Sequence, residues 1–190
     1  MKLTGSYQIN LEKQKVWEAL NDPEILQKTI PGCEEFTKKS ETEFTATATN
    51  KIGPFNASFT GDIELKDINP PHSYKIIGSG NSPVGFANGE ATVSLEDKDN
   101  GTKLTYTVEA NVGGKIAQVG SRLIDMTAKK MADIFFGKFS ELVSNDQDDK
   151  KNIKENLEKN EVPLQKKPQS KTLIYISVAV FTAIAVYLII

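Results

Sequence analysis

From Cys33 to Val112 the apolar residues recur at every second position, and no other feature of the chain restricts its fold as tightly. The runs Phe44, Ala46, Ala48; Phe55, Ala57, Phe59, Gly61, Ile63, Leu65; Tyr74, Ile76, Gly78; and Leu104, Tyr106, Val108, Ala110, Val112 all follow this rule. A period of two sends one set of side chains to one face, so these segments read as antiparallel strands buried on one side. Turn chemistry falls between them at Gly53-Pro54, Asn69-Pro70-Pro71 and Asn100-Gly101, the last being the strongest short hairpin signal. A meander of six or seven strands is predicted.

Before the meander, Leu3, Gly5, Tyr7 and Ile9 alternate like a strand. Asn10 then offers a cap, and Val16, Trp17 and Leu20 recur at helical spacing. Asp22-Pro23 starts a second short helix through Ile25 and Leu26, with the acid as cap and proline at its favoured first position, and Pro31-Gly32 ends it. After the meander, Ile116 to Val143 reads as one long helix with Ile116, Val119, Leu123, Met131, Ile134, Phe135 and Leu142 on its apolar side. Such a helix must lie across the concave face of the sheet. The class is α+β, with a domain over residues 1–143.

Residues 144–172 turn to Asn, Asp, Glu, Lys, Gln and Pro and are expected to form a flexible charged linker with a reach of roughly 30 Å. Residues 173–190 carry no charge, and a helix of about 18 residues spans roughly 27 Å of hydrocarbon. Lys166, Lys167 and Lys171 precede this segment, while Tyr175 and Tyr187 lie near its ends. A single transmembrane anchor is therefore expected, with its basic side and the globular domain in the cytoplasm. The amino terminus lacks the apolar stretch of a signal peptide.

A formal charge of −2 with lysines interspersed among carboxylates gives no basic stripe, so nucleic acid is not an expected partner. The only histidine, His72, follows Pro70-Pro71 and reads as a solvated turn residue ahead of a general base. The only cysteine, Cys33, could be a nucleophile only if His72 folded back onto it; a small buried hydrophobe is the simpler reading. No spacing of Cys, His, Asp and Glu resembles a metal site, and the glycines from Gly78 to Gly85 mark sheet curvature ahead of a nucleotide loop. Arg122, the only arginine, falls with Asp125, Lys129 and Asp133 on one side of the long helix, read as a solvated charge ladder, with partner docking as the alternative. No catalytic residue is assigned.

The inner faces mix aromatics with Ala46, Ala48, Ala57, Gly61, Gly78, Ala91 and Ala110. Two readings stay open: the small residues leave a ligand cavity, or they let the helix approach closely. For a cavity, Phe44, Phe55, Phe59, Tyr74, Phe86, Tyr106 and Leu123 are candidate apolar walls, with Ile30 and Pro31 near the entrance.

The segments Val16 to Pro23, Ile30 to Glu34, Ile52-Gly53-Pro54 and Gly120 to Asp125 resemble the carbon monoxide dehydrogenase G-subunit family, and the element order resembles the helix-grip fold of the START and Bet v 1-like superfamily. The resemblance covers residues 1 to about 143. It implies a membrane-anchored accessory protein, not an enzyme, that associates a molybdenum hydroxylase of the carbon monoxide dehydrogenase type with the cell membrane. It also implies an apolar ligand such as a quinone in the cavity, and no further cofactor. A ligand-free scaffold, or a hydrolase or cyclase of the same superfamily, are the competing readings.

Overall fold

The computed structural model describes the backbone of residues 1–158 and the side chains of residues 1–144. Strand β1 (Lys2–Ile9) is followed by two short helices, α1 (Lys13–Ala19) and α2 (Pro23–Thr29). Six strands then run β2 (Cys33–Lys38), β3 (Glu43–Ile52), β4 (Phe55–Asn69), β5 (Ser73–Ser82), β6 (Gly85–Lys98) and β7 (Gly101–Gly114). A 3-10 turn (Lys115–Val119) leads into the long helix α3 (Ser121–Glu158). All seven strands form one antiparallel sheet in the order β1-β7-β6-β5-β4-β3-β2. The alternation in sequence is the alternation in burial: on β4, Ala57, Phe59, Gly61, Ile63 and Leu65 are buried and the residues between them are exposed.

Three local expectations are corrected. Asn10 caps nothing: α1 begins at Lys13 behind Glu12, with no side-chain cap bond. The chain instead makes a tight turn in which Leu11 N–H donates to Ile9 O, and the Leu11 carbonyl accepts from the buried Thr102 hydroxyl at 2.7 Å. The last hairpin pairs Lys98 with Gly101, so its central residues are Asp99 and Asn100, with Asp99 at φ 54°. Gly101 is needed for a different reason. A Cβ there would lie 2.3 Å from the Ile9 carbonyl oxygen, so glycine lets the end of β1 press against β7.

The third correction concerns α3. It begins at Ser121, because Gly120 takes φ 88° and separates it from the 3-10 turn that holds Ile116. Its buried stripe is Ala128, Ala132, Phe135, Phe136, Phe139 and Val143, while Leu123 is partly exposed and Met131, Ile134 and Leu142 are half-buried on a flank. The apolar surface of this helix is wider than one stripe, and packing selects the phenylalanines with the alanines that let it approach.

The α2 start agrees with its sequence signals: the Asp22 carboxylate accepts from Glu24 N–H at 2.8 Å, with Pro23 at the first position. At the other end of the domain, α3 continues to Glu158, into the stretch expected to be linker. The apolar segment 173–190 lies outside the described residues. Among the described residues no helix is long and apolar enough to cross a membrane.

Candidate functional site

The space between the concave sheet face and α3 is where the sequence places a ligand, and the strand registers define its floor. Ala46 pairs with Gly61, Gly61 with Gly80 and Gly80 with Ala87, a row of small residues across β3, β4, β5 and β6. A second row runs Ile63, Gly78, Gly89 and Ala110 across β4 to β7. Most of these positions have the inward parity of buried neighbours, so the middle of the concave face carries little side-chain volume. Over it α3 contributes buried Ala128 and Ala132 before the bulkier Phe135, Phe136 and Phe139.

Aromatics frame this floor. Phe44, Phe59, Tyr74 and Tyr106 are all buried on the concave face, as their parity predicted. Trp17 meets Tyr74 edge-on at 5.2 Å between ring centroids, and Phe36 packs against Phe44 at 5.6 Å. At the β1 side Phe136 stacks on Tyr7 at 4.0 Å and on Tyr106 at 5.9 Å, distances at which aromatic pairs add to simple burial.

Ile30 and Pro31 are buried at the junction of α2 and β2, held to β3 by Thr49 N–H on the Gly32 carbonyl and by Asn50 Nδ2 on the Pro31 carbonyl. Phe55 is half-buried at the start of β4, with inward parity. Leu123 borders the β3–β4 turn, where a Cβ at Gly53 would meet Leu123 Cδ2 at 3.1 Å and Val119 Cγ1 at 3.3 Å. Two candidate walls are exposed, Leu123 and Phe86, and Phe86 is also on the opposite face of the sheet. Ala87 and Ala91 are the inward residues of β6, so Phe86 stands on the outer face, over Gly113 and 41% exposed.

Two open volumes lie outside this interior. A trough of about 620 Å³ follows the outer face of the sheet, lined by Asp62, Glu64, Ile77, Ser79 and Asn88 together with Lys39. A smaller hollow of about 290 Å³ lies beside the β5–β6 turn, between Pro83, Phe86 and Lys115.

The polar groups are arranged differently from the expected charge ladder. Among the described residues no ion pair joins Arg122, Asp125, Lys129 and Asp133. Asp133 instead accepts the Tyr7 hydroxyl at 2.5 Å, and one oxygen of half-buried Asp125 is sealed from water without a partner. At Asp133 this flank of α3 meets β1, which a helical wheel without its neighbours cannot reveal. Burial first, and the Asp133 hydrogen bond second, raise the Tyr7 phenol well above its ordinary range.

Cys33 is half-buried, donates to the Glu35 carbonyl at 3.4 Å, and is pushed up to about 11, chiefly by burial. His72 is exposed in the β4–β5 turn, at the other end of the sheet. Among the described residues no group of His, Cys, Asp and Glu is gathered to hold a metal.

A seven-stranded antiparallel sheet curled around one C-terminal helix, with two short helices after the first strand, defines a helix-grip protein of the Bet v 1-like class. Within that class the chain belongs to the carbon monoxide dehydrogenase G-subunit (CoxG) family, whose model matches residues 5–144. It is similar to the crystal structure of a conserved protein from Geobacillus kaustophilus, with 33% identity over 76% of this chain and 96% of that one and a TM-score of 0.73. Protein Ms6760 from Mycobacterium smegmatis (18% identity, 74% and 89% covered, TM-score 0.58) shares the fold. So does TTHA0849 from Thermus thermophilus (14% identity, 76% and 98% covered, TM-score 0.59). No curated protein matches the chain.

Proposed function

We propose that the protein is an accessory subunit that associates a molybdenum hydroxylase of the carbon monoxide dehydrogenase type with the cell membrane, and that it holds an apolar ligand such as a quinone under α3. The family membership carries the first half of this reading. The row Ala46, Gly61, Gly80 and Ala87, with Gly78, Gly89 and Ala110 beside it on the concave face, supports the second, because these small residues leave an apolar floor framed by Phe44, Phe59, Tyr74 and Tyr106. Removing a quinone head group and a few isoprene units from water at about 25 cal/mol per Å² is worth several kcal/mol. The bilayer offers nearly the same gain, so exchange between bilayer and protein would be close to balanced.

Membrane attachment is assigned to residues 173–190 on their length and lack of charge. Native mass spectrometry of the detergent-extracted full chain tests the ligand, and a quinone or lipid adduct is the expected result. Pull-down from native membranes tests the partner; preparations that never enrich a molybdenum hydroxylase would remove the accessory role. A second reading, a ligand-free scaffold, is favoured by the close stacking of Tyr7, Tyr106 and Phe136, which fills the β1 side of the interior.

A further inference from the structure

The two ends of the sheet differ in charge. One end is built from the β3–β4 turn, the β5–β6 turn and the passage from β7 into α3, and residues 50–57, 80–87 and 111–124 contain no carboxylate at all. They contain Lys51, Lys115 and Arg122, all exposed and none in an ion pair with a described residue. The turns at the opposite end hold Glu41, Glu43, Asp67, Glu96, Asp97 and Asp99 among their lysines. The carboxylates at this level of the sheet are Glu34 and Glu35 at the start of edge strand β2, where Glu35 shares a row with Thr47, Thr60, Asn81, Phe86 and Gly113, and Asp125 follows on α3; the two turns and the passage into α3 themselves hold none.

That same end, or the first turns of α3 beside it, carries three of the four large apolar side chains the described surface exposes: Phe86 at 41%, Leu123 at 36% and Met126 at 61%. Apolar tips surrounded by unpaired cations are what an anionic bilayer surface accepts: the tips enter the head-group boundary and the cations meet phosphate.

Resting on the membrane attachment proposed above, we infer that this end of the domain docks on an anionic lipid surface, with Phe86, Leu123 and Met126 in the head-group layer and Lys51, Lys115 and Arg122 over it. The chain length then fixes the orientation. The 38 residues of α3 span about 57 Å from this end to Glu158. Residues 159–172 reach at most about 50 Å even fully extended. With 173–190 in the bilayer, α3 cannot stand upright on its docked end and must lie inclined along the membrane. The end of the grip where the β3–β4 turn meets Leu123 and Val119 is thereby brought to the lipid from which an apolar ligand would come.

The test uses the full chain in vesicles, with Met126→Cys in a Cys33→Ser background carrying an environment-sensitive fluorophore, and Asp99→Cys as the label at the opposite end. With phosphatidylglycerol in the vesicles and quencher on the lipid chains, the label at 126 should be quenched and blue-shifted, and the label at 99 should stay in water. High salt, or the combined changes Lys51→Glu, Lys115→Glu and Arg122→Glu, should return the label at 126 to its emission in purely zwitterionic vesicles, while the protein still floats with the vesicles. A label at 126 that remains in water on floating protein, or a response indifferent to these charges, overturns the docking and leaves attachment intact. Protein that does not float removes the attachment and the docking together.

Discussion

The hydroxyl of Tyr7 on β1 donates to the Asp133 carboxylate on α3 across 2.5 Å, joining the first strand to the last helix over 126 residues of sequence. Beside it the ring of Tyr106 covers Gly5, where a Cβ would lie 2.4 Å from the tyrosine oxygen, so glycine in β1 is what admits the stack. This seam closes the β1 side of the grip. Because β1 is an edge strand of the sheet, α3 is held there by side chains and not by a strand ladder.

Replacing Tyr7 with phenylalanine keeps the ring stack and removes only the hydrogen bond, so a loss of about 1 kcal/mol is expected, below the roughly 1.5 to 3 kcal/mol of a bond to a charged group because exposed Asp133 can be rehydrated. The pH dependence has a definite sign. Tyr7 is raised in the folded state, so its contribution is complete below the unfolded value near 10 and is lost as pH rises above it. Urea midpoints of the wild type should fall above about pH 10, and Tyr7→Phe should flatten that fall. A mutant with the same alkaline slope as wild type would mean that Tyr7 is not the linked group.

Gly32 gives the second prediction. Its φ of 71° lies in the left-handed region, and a Cβ there would sit 2.2 Å from the Thr49 carbonyl oxygen, an atom of backbone that cannot rotate away. Gly32→Ala should therefore cost more than the roughly 1 to 2 kcal/mol of the dihedral alone. It should also loosen α2, since Thr49 N–H donates to the Gly32 carbonyl at 2.9 Å. Chemical denaturation measures the first effect, and hydrogen exchange at Thr49 the second. An alanine variant as stable as wild type would contradict this geometry.

How far the sequence could be read follows from what each pattern encodes. The period of two named the strands because each has one face against the core, and Phe44, Phe59, Tyr74 and Tyr106 took their sides from it. Parity also fixes Phe86: once Ala91 points inward, an even-numbered residue on β6 must point out, however apolar it is. The face of α3 was harder. Phe136, Phe139, Ala128 and Ala132 define it, and nothing along one helix says that alanines outrank Met131, Ile134 and Leu142 when the sheet must approach closely. The Tyr7 to Asp133 contact and the role of Gly101 depend on which strand neighbours which, and that is a property of the sheet order.

Cys33 supplies a prediction about reactivity. Its thiol is half-buried and pushed up to about 11, so the thiolate that alkylating reagents attack is scarce at neutral pH. Iodoacetamide should modify it much more slowly than a free cysteine at about neutral pH, and the rate should climb only as pH approaches about 11. Rapid labelling at neutral pH would mean an activated thiol, and the reading of Cys33 as a small packed hydrophobe would fall.

The last prediction decides between carrier and scaffold. Ala57 is buried on the inward face of β4, two residues before Phe59, close to the β3–β4 turn that borders Leu123. A tryptophan there has two outcomes that differ in kind. If the floor of small residues keeps space for a ligand, Ala57→Trp fills that space: the melting midpoint should change little, and the quinone or lipid adduct of the extracted full chain should disappear. In an interior already closed by α3, the same insertion forces neighbouring side chains off their rotamers and costs roughly 1 to 3 kcal/mol or more. The carrier reading expects the first outcome. Calorimetry and native mass spectrometry on the same preparation separate the two, and a large loss of stability in protein that never carried an adduct would leave the scaffold as the function of the domain.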